Sequence, residues 1–143
     1  KFVLDKIKIL CYKHGPFFQR VNSHIYGKSG CPNCSKIISK AEKEWLDYLN
    51  IDSNLRNKPL IINGRIFYPD GYDPDTKTIY EFYGDYWHGN LNIYNANSIN
   101  KLNKLKFIDL YKRTVAREDV FRNSGYNIVS IWESDWKNQN EKL

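Results

Sequence analysis

Four residues have the types needed for metal-assisted attack on a phosphate ester: Glu42, Asp70, Glu81 and His88. Three of them fall in residues 68–90, YPDGYDPDTKTIYEFYGDYWHGN, the densest run of reactive side chains in the chain. Glu81 is a carboxylate inside an otherwise apolar strand, TIYEFY, and a lone acid there is costly unless something compensates it. A cation shared with Asp70 on a neighbouring strand would do so. Mg²⁺ suits the pair, because it takes hard oxygen ligands, few of them from the protein, and leaves room for water and phosphate. The alternative is that Asp70 serves its turn and Glu81 pairs with a nearby Lys or Arg. His88 lies just past the strand in GDYWHGN, where flanking glycines allow an unusual backbone and close approach of a ligand. An imidazole beside the acids can accept a proton from an attacking water.

These residues need a scaffold, and the pattern around them predicts one. Leu60, Ile61 and Ile62 begin a first strand, Asn63-Gly64 turns it into residues 65–68, and Asp70 ends that run. A second turn over residues 71–77 leads into the strand at 78–83, a hairpin signal with a long tip. Alternation puts Ile79, Glu81 and Tyr83 on one face and Tyr80 and Phe82 on the other. Upstream, Ser39 and Glu42 match a capping box opening a helix with Trp45, Leu46 and Leu49 at helical spacing. Downstream, the Asn-rich residues 90–100 lie along a groove of DNA or are disordered. A helix is expected over 101–123, with Leu102, Leu105, Ile108, Leu110, Tyr111, Val115 and Phe121 on its apolar side. Lys101, Lys104, Lys106, Lys112 and Arg113 make the other side basic, and Gly125 is placed to stop the helix before a strand at 126–132.

A chain of 143 residues, 41% hydrophobic, can form one core with a small appended module. It has no apolar run long enough to span a bilayer and no signal-peptide pattern, so an intracellular protein is expected, in cytoplasm or nucleoid, or in the nucleus if a eukaryotic virus encodes it. It starts at Lys1 and contains no Met, which suggests a piece of a longer chain. The net charge of +6 fits a polyanionic partner. Three cysteines, an odd number, argue against a disulfide framework. Cys11-x2-His14 and Cys31-x2-Cys34, with sixteen residues between the pairs, instead have the spacing of a tetrahedral Zn²⁺ site, scattered thiols being the alternative. Gln19, Arg20, Lys28 and the pair Phe17-Phe18 are placed for that module to grip DNA, against the alternative of a folding staple that touches nothing.

The order of Pro69-Asp70, an apolar strand at 79–83 and GDYWH at 84–88 resembles the core of the very-short-patch mismatch repair (Vsr) endonucleases, and the interval from Asp to His is similar too. EFYGDYWHGN looks closer still to Vsr-like nucleases of phages, large DNA viruses and homing elements. Ser39-x-x-Glu42 resembles that family's Thr-x-x-Glu, which implies that Glu42 adds an acid to the site, orienting His88 or a metal-bound water. GYNIVSIWE at 125–133 resembles the closing helix-strand segment, so the resemblance covers most of 39–136. Where the family implies an Asp on the helix near the His, this chain has Thr114, and the fifth site residue stays open among Thr114, Arg117 and Asp119, or none of them. The zinc ligands that follow Trp-His in the family are absent here. CYKHGPF, SHIYG and GCPNC are similar to zinc-ribbon or treble-clef modules of phage and homing nucleases, with His24 read as packing or a phosphate contact. Glu81 brings the strand closer to the Asp…Glu-x-Lys pattern of restriction enzymes, with Tyr83 at the Lys position and His88 doing the basic residue's work.

The expected fold is therefore α/β, a restriction-endonuclease-like mixed sheet flanked by helices over 37–143, with a zinc module over 1–36. The expected activity is Mg²⁺-dependent hydrolysis of DNA, with Mn²⁺ able to substitute, by a monomer or a DNA-induced dimer and without a membrane. Asp70, Glu81 and the Phe82 carbonyl would hold the ion and His88 would activate water. Arg20, Lys28, Tyr86, Trp87, Arg113 and Arg117 are the expected DNA contacts. Of the two aromatics that could wedge between bases, Trp87 is the one expected to fill the core instead. The alternative is a catalytically inactive, zinc-dependent DNA-binding module of a larger protein, and an RNA-directed nuclease is a third possibility.

Overall fold

The computed structural model describes residues 6–11, 15–26, 30–32 and 38–142. In chain order it holds β1 (Lys6–Cys11), β2 (Gly15–Arg20), α1 (Val21–Ile25), α2 (Lys40–Tyr48), β3 (Leu60–Ile62), β4 (Arg65–Phe67), β5 (Gly71–Asp73), β6 (Thr78–Tyr83), α3 (Asp85–His88), α4 (Phe107–Asn123), β7 (Asn127–Trp132) and α5 (Glu133–Asn140). β5, β6 and β7 form a mixed sheet, β6 pairing antiparallel with β5 and parallel with β7. β1–β2 and β3–β4 are separate antiparallel hairpins.

β6 is the centre of the fold, and its period-2 pattern decides what lies on each side. Ile79 packs with Ile62, Phe67 and Phe121, so this face meets the β3–β4 hairpin and α4. Phe82, with Tyr80 beside it, packs with Trp45, Leu46, Ile51 and Trp136, so the opposite face meets α2 and α5. Each such fully buried apolar side chain contributes roughly 1.5–3 kcal/mol over leaving it exposed, and Phe121, wholly buried, would cost about 3–5 kcal/mol as Phe121→Ala. α2 begins as its sequence predicts, with Ser39 Oγ accepting the Glu42 N–H at 3.0 Å. Asn63 and Gly64 both take positive φ, 50° and 75°, the geometry of a two-residue hairpin turn.

Three boundaries differ from the sequence expectation. Residues 65–67 pair only with β3, so Asp70 stands just ahead of β5 and does not end β4. The tip before β6 is shorter than expected, because the Asp73 carboxylate accepts from the Asp75 N–H and the Thr76 hydroxyl and folds residues 74–77 tightly. α4 starts at Phe107 and not at Lys101: Lys104 has φ 64°, and the Asn100 side chain takes the Leu102 and Asn103 N–H groups into a turn. The Asn-rich residues 90–103 are built as successive turns, with Asn90, Asn95 and Asn103 each accepting the N–H two residues on. No helix among the described residues is long and apolar enough to cross a membrane.

Candidate active site

A cleft of about 680 Å³ opens where β6 runs into α3, large enough for a small-molecule-sized group. It brings together Glu42, Asp70, Glu81 and His88, the four reactive residues singled out by their types, and adds Arg117 and Glu133.

Asp70 is buried, and its Oδ2 accepts the Phe82 N–H at 2.8 Å. A strand residue sends its N–H and C=O out of the same edge, so the Phe82 carbonyl faces the Asp70 side as well. β5 pairs Gly71 with Tyr80, leaving this edge of β6 beyond it to Asp70. Glu81 is held differently. Its side chain is 5% exposed and both its oxygens meet one guanidinium, Arg117 Nη2 to Oε1 at 3.0 Å and Nε to Oε2 at 3.3 Å. Arg117 also donates to the Tyr68 carbonyl and lies over the rings of Phe67 and Phe121. A forked guanidinium on a carboxylate is a strong, geometrically fixed pair, and here it compensates the acid inside the apolar strand.

Tyr83 ends the same face of β6. Burial, then the charge of Glu81 and a hydrogen bond to Glu118 at 2.7 Å, push its phenol far above the ordinary tyrosine range, so it stays neutral.

His88 is placed by α3, a single turn clamped at both ends. Asp85 Oδ1 accepts from Asn90 Nδ2 at 2.7 Å and from the Ser134 hydroxyl at 3.0 Å, tying the turn to α5. Gly89 closes it with φ 71°, and a Cβ there would stand 2.3 Å from the Phe107 carbonyl and 2.8 Å from the Tyr111 nitrogen. Only glycine lets α3 approach α4 this closely. The approach sets His88 Nδ1 3.2 Å from Thr114 Oγ1. Thr114 has one proton, and the carbonyls of Leu110 and His88 are both within reach of it, at 3.1 and 3.3 Å. In the tautomer that carries its proton on Nδ1, His88 donates to the hydroxyl oxygen of Thr114 and keeps its lone pair on Nε2.

The three residues left open for the fifth position separate here. Thr114 touches His88, Arg117 holds Glu81, and Asp119 is exposed and pairs with Arg122 at 3.8 Å. The two aromatics reverse the sequence expectation. Trp87 is 56% exposed on the cleft rim. Tyr86 is the space-filler, packed on Tyr94 and Phe107 with its hydroxyl accepting the Lys101 N–H at 3.0 Å. Glu133, which the sequence pattern does not mark as a site residue, opens α5, lines the cleft and takes Lys137 at 2.8 Å. Its signal was an acid directly after the apolar run of β7.

In the N-terminal segment, Cys11 ends β1 opposite Gly15 and Cys31 is buried. His14, Cys34 and Lys28 lie outside the described residues. Arg20 and Phe18 are exposed on β2, His24 is exposed on α1, and Arg113 is exposed on α4. Among the described residues no group of three or more His, Cys, Asp or Glu side chains is drawn together closely enough to hold a metal ion.

A family model described as "Protein of unknown function (DUF723)" matches residues 2–35, a segment that ends ahead of the first cleft residue, Ser39. No curated protein and no solved structure matches the chain.

Proposed function

We propose that the chain is a Mg²⁺-dependent endodeoxyribonuclease of the restriction-endonuclease-like class, similar in arrangement to the very-short-patch repair enzymes, with a structural zinc held by Cys11, His14, Cys31 and Cys34. The observation that carries this reading is the edge of β6, where Asp70 grips the Phe82 N–H and the Phe82 carbonyl faces the same way. That pairs a carboxylate with a main-chain carbonyl, two hard oxygen donors, and Mg²⁺ needs few protein ligands because it keeps several waters. Glu81 joins the donor set only by giving up Arg117.

Mg²⁺ or Mn²⁺, when bound, would polarise the scissile phosphate and stabilise the leaving oxygen. The chain's own residues account for the rest. Thr114 holds Nδ1–H and fixes the His88 ring, so that Nε2 takes the proton of the attacking water. Glu42, buried in the cleft wall, orients that water or the imidazole. Arg117, locked by Glu81, the Tyr68 carbonyl and two rings, points a guanidinium at a phosphate oxygen, the work of the lysine that the neutral Tyr83 replaces. Trp87 on the rim is placed to wedge between bases, and Arg20 and Arg113 are exposed for phosphate contact. Cleavage would leave a 5′-phosphate and a 3′-hydroxyl.

The test is conversion of supercoiled plasmid to open-circle or linear DNA in Mg²⁺ or Mn²⁺, run beside Asp70→Ala and His88→Ala. Cutting by the parent alone is expected. Asp70→Ala should still shift DNA in a gel, since it removes an ion ligand and not a phosphate contact. A parent that shifts DNA without cutting it would favour the second reading, a DNA-binding module without chemistry. The Glu81–Arg117 pair is the observation on that side, because it occupies a carboxylate that an ion would use.

A further inference from the structure

The cleft is lined by four carboxylates, Glu42, Asp70, Glu81 and Glu133, against one guanidinium, Arg117. A polyanion held there needs cations outside the cleft. The chain from Tyr86 to Ile108 contains no Asp or Glu, and within it residues 98–106 read SINKLNKLK. This segment is a closed loop. Ile99 bridges Lys106, the Asn100 N–H donates to the Leu105 carbonyl at 2.8 Å, and the Lys104 N–H donates to the Asn100 carbonyl at 2.9 Å. Asn100 is 0% exposed; its Oδ1 accepts from Leu102 and Asn103, and its Nδ2 donates to the Tyr86 carbonyl. Through Tyr86 the loop is pinned beside Trp87 at the cleft rim.

On this rigid base stand the exposed Lys101, Lys104 and Lys106, none of them in an ion pair among the described residues, and Leu102, 67% exposed at the tip. Three exposed lysines of like charge around an exposed leucine repel one another. A pre-ordered loop of this kind loses little entropy when it meets a partner.

We propose that residues 98–106 are an arm that grips the sugar-phosphate backbone of a nucleic-acid duplex beside the cleft, with Lys101, Lys104 and Lys106 on phosphates and Leu102 against the sugars. The choice of a nucleic acid as the polyanion rests on the nuclease reading of the cleft. Lysine supplies a point charge suited to phosphate and reads no base. The segment from Asn95 to Lys106 contains no aromatic residue, so it lacks the stacking platform that single strands require, and this favours a duplex.

The test is the salt dependence of binding to a short DNA duplex in Ca²⁺, compared between the parent, K101Q/K104Q/K106Q, and a control of equal charge change, K43Q/K58Q/K142Q. Each phosphate contact contributes about 0.9 to the slope of log affinity against log salt. The arm variant should therefore lose up to about 2.7 from that slope, and the control much less. All six lysines are exposed, so unchanged melting is expected of both variants and is checked alongside. Equal slopes for the two triple variants would overturn the proposal, as would an arm variant that loses affinity for anionic vesicles while keeping the parent's duplex slope. If the parent binds duplex with the steeper slope but never cuts plasmid, the nuclease reading falls and the arm stands. If the parent cuts and the slopes are equal, only the arm falls. A parent that binds no duplex sinks both.

Discussion

Removing Arg117 tests the centre of the site. In Arg117→Met the Glu81 carboxylate, 5% exposed, loses the one guanidinium that meets both its oxygens. Breaking a buried ion pair from one side costs about 3–5 kcal/mol. The Arg117 side chain is 30% exposed, so water reaches the pair and the low end, about 3 kcal/mol, applies. For a domain of this size that corresponds to roughly 6–12 °C in Tm. The methionine keeps much of the contact with Phe67 and Phe121, so the loss reports the charge and not the packing. Pairing the change with Glu81→Gln removes the charge that Arg117 compensates, and the double variant should recover most of the stability. The assay is thermal and urea unfolding of the parent, both single variants and the double variant. An Arg117→Met protein melting within about 2 °C of the parent, or a double variant no better than Arg117→Met, would refute the claim that Glu81 depends on Arg117.

Gly89→Ala should destabilise by more than the about 1 kcal/mol of an ordinary unfavourable backbone, because its Cβ would meet the Phe107 carbonyl at 2.3 Å; unfolding curves and loss of cleavage together would show it. Tyr86→Ala should cost about 3 kcal/mol as a packed aromatic, while Trp87→Ala should leave melting unchanged and weaken DNA binding, and equal effects on melting would contradict their placement. Cys31→Ser should release zinc, measured by metal analysis, and lower the stability of the N-terminal segment without touching the cleft; retention of one equivalent would remove Cys31 from the ligand set.

Where one local pattern governs, the sequence could be read. The alternation in TIYEFY set both faces of β6, and Ser39 and Asn63-Gly64 marked a helix start and a hairpin turn through their own side chains and backbone. Partners supplied from far along the chain could not be read. Glu81 and Arg117 are 36 residues apart, and nothing near either names the other. The start of α4 was misplaced because Leu102 and Leu105 continue the helical spacing, whereas Asn100 bonds instead to Tyr86 and bends the chain. Tyr86 and Trp87 are neighbours of similar chemistry, and which one turns inward is decided by Phe107 on a different helix.

Because β6 is covered by α2 on one side of it in sequence and by α5 on the other, and receives its parallel partner only at β7, the cleft cannot close before both β7 and α5 have been made. A nascent chain that has emerged only as far as α4 already carries Asp70, Glu81 and His88, yet lacks the strand that fixes β6 and the helix that brings Ser134 to Asp85 and Glu133 to the rim. Non-local pairing of this kind also forms slowly. A cleft assembled in this order is complete only once β7 and α5 have both emerged.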